Sequence, residues 1–224
     1  MITPKLIIYG NGHMATMIAE YVSPLFDVVA FTVDRHLITE ESLLGLPLIA
    51  FDEIAARFPP TQYQMLIAVG FVAMNRVREE KYLAAKRMGY RLPNYIDPSV
   101  RWHSSNSIGE NNIILDHTSI HPFTRIGNSN FFSSNINIGH GCIIEDNCWF
   151  NAGVSLGGGT RVGNNSVFGL NASASHNLVV APKTLVGANT FLNKNSEEGD
   201  VYLSENGTKF RLKSESFLKF FNVL

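Results

Sequence analysis

Apolar residues in the second half of the chain recur at every sixth position. Steps of six from Ile96 give 17 positions ending at Leu192, and 16 of them carry a large apolar side chain. A period of six matches neither the α-helix nor the alternating β-strand. Six residues can form one short strand and one turn, and three such units make an 18-residue triangular coil whose strands pair with the next coil at about 4.8 Å. The pattern predicts a parallel β-helix over residues 96–197.

Two further sets of positions keep this six-residue register. The position after each apolar residue is often glycine, and the fourth position after it usually carries a small or medium-sized side chain. The second set includes Cys142 and Cys148, whose spacing matches neither a metal site nor a redox motif, so we expect two free thiols in the core. The glycines are Gly109, Gly127, Gly139, Gly157, Gly163, Gly169 and Gly187.

Residues 1–95 show a different pattern, in which apolar strands alternate with helices. The strands are KLIIYG, DVVAFTVD, GLPLIA and QMLIAVG, and the helices are HMATMIAEYV, DEIAARF and NRVREEKYLAAKRMG. We expect Asp52 to cap the short middle helix and Gly89 to end the last one. This alternation predicts a small doubly wound, Rossmann-like domain with a parallel sheet.

Residues 198–224 form a predicted C-terminal tail. The stretch VYLSENGTKFRL places Asn206-Gly207 between two strand-like halves, which is typical of a hairpin. SESFLKFF then predicts a short amphipathic helix that covers the open edge of the last coil.

Composition narrows the classes of partner. The net charge is -1, the isoelectric point is ≈ 6.7, and apolar residues make up 45% of the chain. There is thus no basic field for nucleic acid and no polybasic patch for a membrane surface. No stretch approaches 18 consecutive apolar residues, and the first residues lack the features of a signal peptide, so we expect a cytoplasmic protein.

The first strand of the Rossmann-like domain runs into the turn GNGHMA at residues 10–15. This turn fits the G-x-G-x-x-A pattern before a helix, which is typical of sites for ribose and phosphate groups. The alternative is a glycine turn that only packs the helix on the sheet. Because no dehydrogenase domain follows, a nucleotide attached to another group fits better than a dinucleotide. The expected substrate-binding residues are Gly10, Gly12, His13, Asp34 and Arg76.

Together these features resemble the bacterial hexapeptide-repeat sugar acyltransferases typified by bacillosamine N-acetyltransferase and the sialic-acid O-acetyltransferase. The resemblance covers residues 4–195, and its most specific stretch is IGHGCIIEDNCWFNAGVSLGGGTRVG. It implies a left-handed β-helix and a homotrimer with active sites between neighbouring subunits. It also implies an acetyl-CoA-dependent N-acetyltransferase that acts on a nucleotide-linked amino sugar and needs no metal.

The same resemblance assigns roles to single residues. His140 falls on the family's catalytic base, and Gly158 falls on the glycine whose amide contacts the thioester carbonyl. Since 18 residues make one coil, these two residues should stack one strand spacing apart. The residues expected to contact the donor are Trp149, Gly158, Gly159, Lys183 and Lys194.

Two departures from the family pattern affect this site. Gly141 stands where the family has an acidic residue that orients the base, and Trp149 stands where it has a second histidine. Another acceptor would then have to fix the His140 ring, and we expect a backbone carbonyl, Glu145 or a side chain of the adjacent subunit. The alternatives are O-acetyl transfer to a sugar and a β-helix protein that binds sugar nucleotides without catalysis.

An attacking amine needs a base to take its proton, and the thioester carbonyl needs a hydrogen-bond donor as it becomes an oxyanion. The glycines beside His140 and one coil beyond it would clear space for a pantetheine arm. The alternative is that His140 is a surface histidine and the glycines serve the corners of the β-helix. The remaining coil histidines have no metal-binding pattern, and we expect them to be solvated or at an interface. They are His103, His117, His121 and His176.

Overall fold

The computed structural model describes residues 3–220, in which an α/β sheet domain packs against a β-helix. The sheet domain comprises strands β1 to β5, helices α1 to α3 and a short 3-10 turn at Arg35–Leu37. The strands are β1 Lys5–Tyr9, β2 Asp27–Val33, β3 Ser42–Leu43, β4 Leu46–Ala50 and β5 Gln64–Ile67. The helices are α1 His13–Val22, α2 Ile54–Arg57 and α3 Arg76–Arg87.

The sheet has the strand order β3-β4-β2-β1-β5, and only the edge strand β3 is antiparallel to its neighbour. The four parallel strands therefore follow the order 3-2-1-4 of the Rossmann fold, with the order reversing beside β1. Leu6, Ile7 and Ile8 of β1 are fully buried, as expected for a central strand with helices on both faces. The Rossmann-like domain predicted from the sequence is confirmed.

The predicted cap of α2 is wrong. The helix begins after Glu53, and neither Glu53 nor Asp52 caps it with its side chain. The Asp52 carboxylate instead accepts a hydrogen bond from Arg35 at 2.9 Å, because the turn after β2 brings that guanidinium within reach. Gly89 follows α3 with a φ of 89°, a left-handed conformation that glycine adopts without strain and that ends the helix.

The β-helix has three faces, which we call A, B and C. From Tyr95–Ile96 to Phe191–Leu192, paired strands are parallel and lie 18 residues apart, as Asn137 and Ser155 do. Val201–Tyr202 follows its partner, Leu185–Val186, after 16 residues. Face A consists of Ser107–Ile108, Arg125–Ile126, Ile143–Ile144, Arg161–Val162 and Val179–Val180. Face B consists of Tyr95–Ile96, Ile113–Ile114, Phe131–Phe132, Trp149–Phe150, Val167–Phe168, Leu185–Val186 and Val201–Tyr202. Face C consists of Ser119–Ile120, Asn137–Ile138, Ser155–Leu156, Ser173–Ala174 and Phe191–Leu192.

The six-residue apolar positions form the core of the β-helix. They are buried from Ile114 to Leu192, and the three earlier positions pack against the same core while partly exposed. Side chains 18 residues apart stack directly: the rings of Phe132 and Phe150 are 4.8 Å apart, and those of Phe150 and Phe168 are 5.2 Å apart. Each buried side chain of this size contributes about 1.5–3 kcal/mol to stability.

The small-residue positions line the same core. Cys142 and Cys148 are buried and free, as predicted. Burial raises the pKa of the Cys148 thiol to about 12, so it stays protonated at neutral pH. The glycine that follows each apolar position lets successive coils approach. A Cβ on Gly139 would lie 2.5 Å from the Gly158 nitrogen, and one on Gly169 would lie 2.5 Å from the Ala188 nitrogen.

The sheet domain packs on face B. Outward-facing Trp149 is buried there, its ring stacked on Phe131 with centroids 4.0 Å apart. Arg78 of α3 donates from Nη2 to the carbonyls of Asn147 (2.8 Å) and Cys148 (3.1 Å), and its guanidinium lies 5.3 Å from the Trp149 ring centre. Burial lowers the pKa of Arg78 to about 9. Because this value is still above neutral pH, the group stays charged. These contacts fix the domain to one side of the β-helix.

The predicted hairpin of the tail is wrong. Val201–Tyr202 instead adds a parallel strand to face B beside Leu185–Val186, and no strand follows it among the described residues. The parallel ladder offers Val201–Tyr202 a preformed edge, which outcompetes a local hairpin. The predicted helix is present as α4, Ser214–Phe220. Residues 203–219 are all exposed, so α4 does not cover the last coil.

Candidate functional site

His140 lies at the edge between faces C and A. Residues at 18-residue intervals occupy the same place in successive coils, so one column of side chains runs along this edge. We call it the histidine column: Pro122, His140, Gly158, His176 and Lys194. The predicted stacking of His140 and Gly158 is therefore present.

The His140 imidazole rests directly on Gly158. A Cβ on Gly158 would lie 2.7 Å from Nε2 and 2.9 Å from Cδ2 and Cε1 of His140, so this ring position requires glycine. Gly139, by contrast, makes room for the neighbouring coil rather than for the ring. Gly141 has a φ of 65° and nothing within 4 Å of the Cβ position, so it forms the turn and leaves open space beside His140. Of the glycines expected to clear space around the base, Gly139 does not, and Gly159 makes room for Asn177, whose Oδ1 would lie 2.2 Å from a Gly159 Cβ.

His176 is exposed, in line with the expectation of a solvated residue, and it also belongs to this site. The Gly158 N–H donates a hydrogen bond to Nδ1 of His176 at 3.1 Å. Gly158 thus lies between two imidazoles, with its Cα against His140 and its N–H bound to His176. The 36-residue interval between the two histidines equals two coils, a signal that the sequence contains.

No residue of the described chain accepts a hydrogen bond from the His140 ring. Glu145, one of the expected partners, instead pairs with Arg161, whose Nε donates to the carboxylate at 3.0 Å. His140 precedes the face A strand Ile143–Ile144, whereas Glu145 follows it and lies at the edge between faces A and B. Glu145 is therefore near Arg161 and away from the His140 ring. No backbone carbonyl within residues 3–220 takes this role either.

The expected donor-binding residues fall at three places. Gly159 follows Gly158 at the histidine column, and Lys194 is exposed at its C-terminal end. Lys183 lies at the edge between faces A and B, where its ammonium group pairs with Glu198 at 2.6 Å. Trp149 is buried on face B, because its outward position is the one that the sheet domain covers. The structure therefore groups Gly158, Gly159 and Lys194 with His140 and separates Lys183 and Trp149 from them.

A second candidate site lies in the sheet domain, in a pocket of ≈ 460 Å³ at the carboxyl ends of β1, β2 and β5. The strand order reverses between β1 and β5, and ligands of doubly wound sheets bind in the crevice at that reversal. We call this cavity the switch-point pocket. Its lining includes Gly10, Gly12, Asp34, His36 and Lys81.

The two glycines of the GNGHMA turn differ in what they permit. Gly10 has a φ of 139°, and a Cβ there would lie 2.7 Å from the Ala68 carbonyl oxygen, so Gly10 packs β1 against β5. Gly12 precedes α1 and has nothing within 4 Å of its Cβ position, so it leaves the pocket open. Gly10 therefore fits the alternative of a glycine that serves packing, whereas Gly12 borders the space available to a ligand.

Charged groups in the switch-point pocket are arranged around Asp34. The Lys81 ammonium group donates to Asp34 at 2.6 Å, and both side chains are largely buried. Burial and the Asp34 carboxylate raise the pKa of Tyr9, which stays a neutral phenol. Lys81 was not among the predicted residues, because its pairing with Asp34 depends on how α3 packs on the sheet. Arg76 is exposed and does not line the pocket, although Glu80, with which it pairs at 3.6 Å, does.

His13 borders a neighbouring apolar pocket rather than the switch-point pocket itself. This second cavity, of ≈ 490 Å³, is lined by His13, Met17, Phe71 and Trp149. It shares Met14, Gly70 and Val72 with the switch-point pocket, so the two cavities are adjacent.

Neither a metal site nor a membrane-spanning helix is found in the part of the chain that the structure describes. Residues 3–220 contain no group of three metal-ligating side chains close enough to hold a metal ion. No helix in that range is long and apolar enough to cross a bilayer.

The two candidate sites lie on opposite sides of one chain. The sheet domain packs on face B, whereas the histidine column runs along the edge between faces C and A. In a triangular prism, that edge is the one opposite face B. The β-helix therefore lies between the switch-point pocket and His140 of the same chain.

No protein-family model and no curated protein sequence matches this chain. Several solved structures, in contrast, are similar to this chain. The acetyltransferase domain of PglB from Neisseria gonorrhoeae FA1090, in complex with acetyl coenzyme A, is 23% identical with a TM-score of 0.80, over 89% of this chain and 95% of that one. A histidine-to-asparagine mutant of perosamine N-acetyltransferase from Caulobacter crescentus, in complex with CoA and GDP-perosamine, is 21% identical with a TM-score of 0.81, over 89% and 93%.

A third similar structure is WeeI from Acinetobacter baumannii AYE, which is 19% identical with a TM-score of 0.77, over 89% of this chain and 96% of that one. At these identities the likeness concerns the fold. The chain has the fold expected from its sequence, a Rossmann-like domain followed by a left-handed parallel β-helix, and shares it with these acetyltransferases.

Proposed function

We propose that this protein is an acetyl-CoA-dependent N-acetyltransferase that acts on a nucleotide-linked amino sugar, with His140 as the general base. The observation that carries the proposal is the packing of the His140 ring on Gly158 at an open edge of the β-helix, with Nε2 2.7 Å from the position of a Gly158 Cβ. An exposed base beside a glycine backbone suits a reaction in which a thin thioester arm must reach a proton acceptor.

The reaction that these groups would support is acyl transfer from a thioester to an amine. The amine nitrogen attacks the thioester carbonyl carbon, and His140 takes the proton that the nitrogen loses. The tetrahedral oxyanion then collapses, re-forms the carbonyl and expels the CoA thiolate, which recovers a proton from His140. A backbone N–H at Gly158 would stabilise the negative charge on the oxygen.

The histidine column supports the assignment of the donor. Gly158 and Gly159 have no side chains to obstruct a pantetheine arm, and Lys194 adds a positive charge on the same edge two coils beyond Gly158. A cation there suits the phosphates at the far end of CoA. A similar structure contains this donor: the acetyltransferase domain of PglB was solved in complex with acetyl coenzyme A.

The switch-point pocket supports the assignment of the acceptor. Its position at the ends of parallel strands, beside the N-terminus of α1, suits a ribose and phosphates. GDP-perosamine is bound in the similar perosamine N-acetyltransferase structure. Because His140 lies on the opposite side of the same chain, the amino sugar would reach the base of a neighbouring copy. A homotrimer with shared sites, as the family resemblance implies, satisfies this requirement.

Thiol release tests this proposal. The full-length protein is incubated with acetyl-CoA and a panel of UDP-, GDP- and dTDP-linked amino sugars, and free CoA is measured with a thiol reagent. We expect turnover with at least one amino sugar and a loss of about 10²–10⁴-fold in kcat for His140→Ala, the usual effect of removing a positioned base. Donor KM should stay near the native value.

His117→Ala provides the matched control, because His117 is an exposed histidine at a different edge of the β-helix. It should retain native kcat. Native kcat in His140→Ala would end the assignment of the base. Binding of sugar nucleotides without any thiol release would instead support the non-catalytic alternative. A second panel of nucleotide sugars that carry a hydroxyl in place of the amino group is run in parallel, and release with that panel alone would support O-acetyl transfer.

A further inference from the structure

The Gly158 N–H that the proposed function needs for the thioester oxygen already has a partner. It donates to Nδ1 of His176 at 3.1 Å. An imidazole nitrogen that accepts a hydrogen bond carries no proton, so the proton of the neutral His176 ring is on Nε2. The acyl oxygen can therefore reach this N–H only by replacing His176.

The same bond recurs at another edge of the β-helix, where it is purely structural. At the edge between faces A and B, the N–H of Glu110, Asn128 and Asp146 each donates to the side-chain oxygen 18 residues further along, at 3.0, 2.7 and 2.8 Å. The acceptors there are Asn and Asp side chains. His176 occupies the equivalent corner position, because Gly159 and Asn177 follow their residues with the same positive φ as Ser129 and Asn147.

His176 differs in its surroundings from Asn128 and Asp146, which are partly buried, whereas Asn164 is exposed as His176 is. His176 lies at an edge with open space, whereas Asn128 also donates to Asp146. No other hydrogen bond holds His176 among the described residues. Its ring can therefore swing away from Gly158 at little cost when another acceptor arrives.

We propose that His176 is a positioning residue that holds the Gly158 N–H and yields it to the acyl oxygen of the donor. This inference rests on the proposed function. When acyl-CoA binds, its carbonyl oxygen takes the N–H and His176 turns to solvent. After acyl transfer, free CoA has no such oxygen, so His176 regains the N–H. His176 thus lowers the preference of the site for acyl-CoA over CoA.

Two substitutions separate this role from a structural one. His176→Ala removes the acceptor and leaves the Gly158 N–H free for the acyl oxygen. His176→Asn keeps an acceptor at the position where the β-helix itself uses Asn. Both changes are at an exposed side chain, so both variants should fold, which a thermal melt of each would verify.

The measurement is the dissociation constant of acetyl-CoA and of CoA, by titration calorimetry, for the native protein and the two variants. We expect His176→Ala to raise the preference for acetyl-CoA over CoA by about 3- to 10-fold, the range of one exchanged hydrogen bond. His176→Asn should stay within about twofold of the native preference. His117→Ala, the control, should not change it.

An unchanged preference in His176→Ala, or the same change in His176→Asn, would overturn the role of His176 while leaving the proposed function intact. A selective loss of acetyl-CoA affinity in His176→Ala would show that His176 aids rather than competes, and would also overturn it. If the native protein bound neither acetyl-CoA nor CoA, the proposed function would fail and the inference with it.

Discussion

The glycines around His140 have three separate physical roles. Gly139 allows neighbouring coils to approach, Gly141 makes a left-handed turn, and Gly158 gives the imidazole a surface to rest on. Substitution at each should therefore have a different physical consequence. Gly141 is the position where the family resemblance places an acidic residue, which makes it the most informative of the three.

We expect Gly141→Asp to be tolerated by the fold and to change kcat by less than about tenfold. Its Cβ position is open, and Asn135 and Asn147 adopt a similar positive φ at corners of the same β-helix. Asp tolerates that conformation better than most residues, so the free energy of unfolding should fall by no more than about 1 kcal/mol.

Steady-state kinetics with a chemical unfolding curve checks this expectation. Gly139→Asp serves as the contrast, because its Cβ would lie 2.5 Å from the Gly158 nitrogen and should disrupt the coil. A gain in kcat well above tenfold in Gly141→Asp would show that the native site lacks an orienting group rather than obtaining one from elsewhere.

Part of this site could be predicted from single residues and part could not. The coil length fixes which residues share a column, so the stacking of His140 with Gly158 follows from counting in steps of 18. The same count reaches His176, although its role was missed. The pairing of Glu145 with Arg161 cannot be found by counting residues, because it depends on the conformations of two side chains in adjacent coils.

At the scale of elements, the attachment of α3 to face B holds the two halves together. Arg78 is buried, and its guanidinium donates to two backbone carbonyls at the corner that leads into Trp149. Two other nitrogens of the group, Nε and Nη1, have no partner among the described residues. Removal of the side chain would leave the Asn147 carbonyl unpaired and a cavity beside the indole ring, whereas the Cys148 carbonyl would keep its hydrogen bond from the Phe131 N–H at 3.0 Å.

We expect Arg78→Ala to lower the free energy of unfolding by about 3 kcal/mol, the combined effect of a cavity and one unpaired buried carbonyl. Arg76→Ala is the matched control two residues earlier on the same helix. Arg76 is exposed and makes one surface ion pair, which contributes at most about 1 kcal/mol. Denaturant unfolding of both variants gives the comparison, and equal losses would mean that Arg78 does not anchor the domain.

The elements themselves were predictable to the extent that their patterns are local. Strand and helix alternation gave the Rossmann-like domain because each element carries its own apolar period. The tail hairpin failed because Asn206-Gly207 is a strong local turn signal, whereas the edge of face B offers Val201–Tyr202 a better partner. Trp149 was assigned to the donor by its place in the motif, but whether face B is covered depends on how the two domains pack.

At the scale of the whole molecule, the regular period made the β-helix the most predictable feature. Sixteen large apolar positions in one register have only one way to share a core. The arrangement of the two candidate sites did not follow from the period, because it depends on which face the sheet domain covers. Because the two candidate sites lie on opposite sides of the chain, the proposed function requires a site that is shared between two copies.

Mixed oligomers test the shared site and both of its halves together. One chain carries His140→Ala, which removes the base, and the other carries Gly12→Leu, which fills the switch-point pocket from an open position. The two chains, with different tags, are co-expressed and purified through both tags, so that every oligomer contains both. Each variant expressed alone should be nearly inactive and should elute at three times the chain mass of 24.8 kDa.

In a trimer with sites between neighbours, every mixed ring contains one site that combines an intact His140 with an intact pocket. We therefore expect the doubly purified oligomers to recover about a third of native thiol release with acetyl-CoA and the amino sugar nucleotide. Mixed oligomers as inactive as the two parents would contradict a site built from His140 of one copy and the switch-point pocket of the next.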